Sequence, residues 1–145
     1  MSVASQIEKL FCPSVYEKVI PTTEDIDLCL FKKQGAGKYV LVVVQYDSKL
    51  SMSLQIKKVR QYVQRLTKAL WLVNEIGAYV VFAGANFIGN SLELTIDKTG
   101  FHAVIIQGVH IINESGEHIY NHSKWFNHVF GGATNIATEL RAIAI

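Results

Sequence analysis

A chain of 145 residues, half of them apolar and 18% charged, can bury a core of its own without disulfides or metals. Several classes are excluded at once. No apolar run approaches the ~18 residues that would cross a bilayer, residues 1–8 lack the basic start and apolar core of a secretory signal, and Cys12 and Cys29 are too few for a disulfide framework. A net charge of +2 argues neither for nor against a polyanionic partner. The expectation is one soluble, cytoplasmic domain over residues 1–145, with enough apolar surplus to form a homo-oligomer.

In chain order, residues 3–11 place Val3, Ile7, Leu10 and Phe11 on one side of a short helix that Pro13 stops. Residues 15–20 alternate as a strand does and end at Pro21. Residues 26–32 form a second strand holding Cys29, expected to be a buried, inert thiol. A turn at Lys33-Gln34-Gly35-Ala36-Gly37-Lys38 joins it to 39–46 as an antiparallel hairpin. Tyr39-Val40-Leu41-Val42-Val43-Val44 is the unbroken run of a strand covered on both faces.

A helix is expected over 52–76, with Val59, Tyr62, Val63, Leu66, Ala69, Leu70 and Val73 on one side. Lys57, Lys58, Gln61, Gln64, Arg65 and Lys68 gather opposite. With Arg60 the segment carries five basic residues against the single acid Glu75. At 1.5 Å per residue it would form a rod of about 37 Å. Its charged side is either an ordinary solvated face or a stripe that tracks phosphates. Residues 78–83 make a further buried strand, ended by Gly84.

Beyond Gly84 the pattern reads as a loop with an apolar tip, then an antiparallel meander. Its strands are expected at 92–96, 101–112 (bulged near Gly108) and 117–120. Helices at 123–130 and 134–143 complete an α/β (α+β) domain, with a mixed central sheet and one long helix. The aromatic stretch around Trp125, Phe126, Val129 and Phe130 is the expected dimer surface.

The order helix, strand, strand, strand, helix, strand, with Asp27 on the second strand and Gln45-Tyr46-Asp47 ending the third, resembles the PD-(D/E)XK, or restriction-endonuclease-like, superfamily. The resemblance covers residues 3–84. It implies an αβββαβ core in which an acid on the second strand and an (Asp/Glu)-x-Lys on the third hold Mg²⁺, which activates water against a phosphodiester. Asp27 matches the first acid, Gln45 stands where the second carboxylate belongs, and Asp47 stands where the lysine belongs. On this reading Asp27, Gln45, Asp47 and Lys49 form the catalytic set, with Asp27 and Asp47 as the metal ligands. Lys49, Lys57 or Lys58 would have to substitute for the lysine. Lys57, Lys58, Arg65 and Lys68 would contact nucleic acid. A neutral amide is a weaker Mg²⁺ ligand than a carboxylate, so any Mg²⁺-dependent nuclease activity is expected to be weak or lost.

All five histidines lie between His102 and His128. His118 and His122, four apart, sit across an expected strand end and helix start, so their spacing does not define a zinc site. Surface or hydrogen-bonded histidines are the plainer expectation. The alternative for the whole chain is a non-enzymatic interaction module, homo-oligomeric, with a small sheet and one helix as in profilin-like or roadblock-like domains. Where Asp27, Gln45 and Asp47 point separates the two.

Overall fold

The computed structural model describes residues 2–11, 16–19, 25–32, 39–68, 76–94, 96–97 and 103–122. Two helices and six strands appear in the order α1 (Val3–Phe11), β1 (Tyr16–Val19), β2 (Ile26–Lys32), β3 (Tyr39–Gln45), α2 (Met52–Thr67), β4 (Ile76–Ala85), β5 (Val104–Asn113) and β6 (His118–His122). The strands form one mixed sheet in sequence order. β1–β2, β2–β3 and β5–β6 are antiparallel, while β3–β4 and β4–β5 are parallel. The α/β class is as the apolar periodicity indicated. Among the described residues no helix is long and apolar enough to cross a membrane.

The sheet separates two cores. Val40, Val42, Val44, Val80 and Phe82 face α2 and pack with Ile56, Val59, Tyr62 and Val63. Leu28, Leu30, Leu41, Val43 and Val81 face the other way and pack with Ile7 of α1. Strand alternation sends successive side chains of β3 to opposite layers. Six of its seven residues are buried, which is why the run is uniformly apolar rather than alternating.

Three expectations need correction. The helix after β3 is 16 residues long, not 25, and ends with Lys68 in the left-handed region at φ 55°. It is therefore a rod of about 24 Å. Where a strand is expected at 92–96, Ser91–Glu93 form a 3-10 turn capped by Asn90. Among the described residues the second half is not an antiparallel meander: β5 returns parallel to β4, and β5–β6 is a hairpin. Alternation alone cannot tell a parallel from an antiparallel neighbour, and a short connection suits the antiparallel one. Residues 69–75 and the helices expected at 123–130 and 134–143 lie outside the described residues. So do Trp125, Phe126, Val129 and Phe130.

Candidate functional site

Of the residues singled out in the sequence, Asp27, Gln45 and Asp47 lie at the C-terminal end of β3. Asp27 reaches it through a bulge: Ile26 pairs with Val44 and Leu28 with Val43, leaving Asp27 as the extra residue between them. A bulge frees its residue from the ladder and re-aims the side chain. The result is a hydrogen bond of 3.0 Å in which Gln45 Nε2 donates to Asp27 Oδ1. The backbone repeats the tie, with Gln45 N donating to Asp25 O at 2.9 Å. Asp27 thus enters the site as half of a carboxylate–amide pair.

Past Gln45 the chain leaves the sheet and turns into α2. Asp47 Oδ1 accepts from Lys49 N at 2.9 Å, and Ser51 caps the helix by accepting from Leu54 N at 3.2 Å. Gln55 fixes the turn: its Oε1 accepts from Asp47 N at 2.9 Å, and its Nε2 donates to Asp47 O and Leu50 O at 2.9 and 3.1 Å. Gln55 is buried. It carries no charge and belongs to no motif, but a polar residue on the buried face of α2 is itself a signal. Such a residue is retained inside only when its polar atoms are satisfied.

Between this turn and α2 lies a cavity of about 320 Å³. Gln45 and Asp47 line it with Lys58, Gln61 and Arg65 of α2, over an apolar wall that includes Val44 and Val59. Its size is within the range of small-molecule clefts. Asp25 adds a second carboxylate to its rim. Lys57, Lys58, Arg65 and Lys68 are all exposed, and of the four only Lys58 and Arg65 border the cavity. Asp27 and Lys49 are exposed and not part of its lining.

Arg60 separates from the other bases of the segment. It donates to both carboxylate oxygens of Asp97 at 2.7 and 2.8 Å and to Val104 O at 2.8 Å. Asp97 Oδ2 also accepts from Ile106 N at 2.7 Å. This bidentate pair fastens α2 to the strand side of the molecule and is unavailable to a ligand.

For Mg²⁺ the donor chemistry is a poor match to paired carboxylates. An amide N–H faces Asp27 where a second carboxylate would share the ion, and Asp47 already accepts from the Lys49 N–H. Among the described residues no group of three or more His, Cys, Asp or Glu side chains is arranged to hold a metal ion. Cys29 is buried, and burial pushes its thiol up to about 12, so it is inert at neutral pH.

Comparison with protein-family models, with curated proteins and with solved structures finds no match for this chain.

Proposed function

We propose that this chain is a nucleic-acid-binding domain of restriction-endonuclease-like build that binds phosphodiester strands without cleaving them efficiently. The observation that carries the reading is convergence: Gln45 and Asp47 line one cavity with Lys58 and Arg65, and Asp27 is hydrogen-bonded to Gln45 beside it. The element order α1-β1-β2-β3-α2-β4, with β4 parallel to β3, supports it as well. Lys57, Lys58, Arg65 and Lys68, all exposed, contact phosphates, and Lys58 and Arg65 border the cavity that Gln45 and Asp47 line. With no lysine two residues after Gln45, no group of the motif is left to assist an attacking water.

The test is a salt series on duplex and single-stranded oligonucleotides. Changing Lys57, Lys58, Arg65 and Lys68 to Gln weakens binding about equally for all sequences, and the log–log salt slope falls by roughly 0.9 per lost duplex contact. No affinity for any nucleic acid at low salt removes this reading. Robust Mg²⁺-dependent cleavage, abolished by Asp27→Ala, overturns its catalytic half.

One observation favours the interaction module instead. Ile88 and Leu92 are 96% and 86% exposed on a loop that is itself firmly held. Asn113 Oδ1 accepts from Phe87 N at 3.1 Å, and Asn113 Nδ2 donates to Phe87 O at 3.0 Å. Two apolar side chains fixed outward are a small contact surface for a second protein.

A further inference from the structure

His110, His118 and His122 play no part in the cavity. β6 pairs with β5 so that His122 lies opposite Gly108, Tyr120 opposite His110, and His118 opposite Ile112. Cross-strand partners share a face, and Ile112 belongs to the core on the α1 side. The three imidazoles therefore lie on the side of the sheet away from α2. His110 is fully buried. Its Nδ1 is 2.9 Å from His118 Nε2, and its Nε2 is 2.5 Å from His122 Nε2.

Those contacts fix how many protons the chain can hold. Each N···N contact of this length contains one proton, because two N–H groups or two lone pairs face to face repel. The inner contacts thus hold two protons, and the outer Nδ1 atoms of His118 and His122 can hold one each. Three neutral imidazoles bring three N–H groups, and the filled chain has four. An intact chain therefore goes from neutral to a single positive charge and no further. A second added proton sets two N–H groups against each other in one contact, beside a charge already present.

We propose that the three histidines form an acid-operated clasp on β6: the chain accepts one proton with β5 and β6 paired, and the second opens a His–His contact and releases β6. β6 is the edge strand of the described sheet, paired only with β5. Among the described residues, Asn121 Nδ2 also donates to Leu94 O at 3.0 Å, and Ile119 packs into the α2-side core. Among the described residues, two neutral aromatic side chains stand beside the chain. From β4, Tyr79 lies 5.7 Å from the His122 ring, its hydroxyl donating to Gln107 Oε1 of β5. From β6, Tyr120 stacks on His110 at 5.4 Å. The acids on the β5–β6 turn, Glu114 and Glu117, are exposed.

The sign follows from proton counting. Burial, and then the charge on His118, pushes His122 down to about 4 from its ordinary 6.5. Near and below 6.5 the released strand binds more protons than the paired one, so pairing is fully stable above that pH. That stability is lost as pH falls toward about 4.

The experiment is a titration of the full chain from about pH 8 to about pH 4, reading imidazole ¹⁵N shifts and amide exchange together. The first proton is taken up with the amides of Ile119, Tyr120 and Asn121 still protected. The second uptake coincides with loss of that protection, while Leu41, Val42 and Val43 stay protected. In His110→Phe the coincidence disappears, and His118 and His122 take up protons with β6 still protected. Three imidazoles titrating independently near their ordinary value, with β6 protected throughout, overturn the proposal. So does acid release that persists unchanged in His110→Phe. Should that variant not fold, the titration of the native chain decides alone.

Discussion

The side chain of Gln55 closes three hydrogen bonds on the turn that carries Asp47, and Gln55→Leu removes all three while keeping most of its volume. The Asp47 N–H and the carbonyls of Asp47 and Leu50 are then left to water. The expected cost is about 1–3 kcal/mol, read by urea unfolding. Faster exchange of the Asp47 amide, with mid-helix amides of α2 unchanged, is the local signature. A second single-residue dependence lies on the far face. A Cβ at Gly108 would come within 2.6 Å of His122 Cδ2 and 2.8 Å of Tyr79 Cδ1. Both are ring atoms with little room to move. Gly108→Ala is expected to destabilise by about 1–3 kcal/mol, measured as a fall in Tm, and to disturb the histidine chain.

Among the elements, α2 is held on the sheet by its apolar face and by one ion pair. Arg60→Ala leaves the Asp97 carboxylate, whose side chain is only 9% exposed, without its cation. Breaking a pair of this kind costs about 3–5 kcal/mol. Arg60→Lys restores little, since an ammonium cannot serve both carboxylate oxygens and the Val104 carbonyl in one plane. Lys57→Gln, on an exposed position of the same element, or Lys68→Gln, at its C-cap, should change stability by no more than about 0.5 kcal/mol. Urea midpoints for these variants check the contrast. They also separate the base that holds the fold from those free to meet a ligand. Equal destabilisation by Arg60→Ala and Lys57→Gln would contradict the division.

At the scale of the whole molecule the two functional readings differ in what changes the mass of the particle. If the cationic face of α2 binds nucleic acid, charge-neutralising variants alter the salt slope and leave the sedimenting mass alone. If the loop of Ile88 and Leu92 docks a second copy, Ile88→Ser with Leu92→Ser shifts a dimer toward monomer at micromolar concentration and leaves oligonucleotide affinity unchanged. Sedimentation and a binding isotherm on the same samples distinguish them. The surface of the described residues carries both features, so the double comparison is informative whichever way it falls.

Several features were legible because they depend on local chemistry. The bounds of β2 match the expected 26–32, and β3 differs from its expected 39–46 by a single terminal residue. β-branched runs and a Gly-rich turn declare a hairpin through backbone sterics alone. The exposed positions of α2 followed from its 3.6-residue period. Other features depend on which strand lies beside which. The parallel course of β5, the bulge that turns Asp27 toward Gln45, and the pairing of Arg60 with Asp97 across 37 positions are contacts between distant segments. No local period records them. The histidines show the difference most plainly. As a sequence they are a scatter of polar residues with ambiguous spacing, and only the register of β6 against β5 brings three of them into hydrogen-bonded contact. Local propensity determined the strands and the helix faces. The alignment of strands, a long-range choice set by packing of both sheet faces, decided which polar side chains meet.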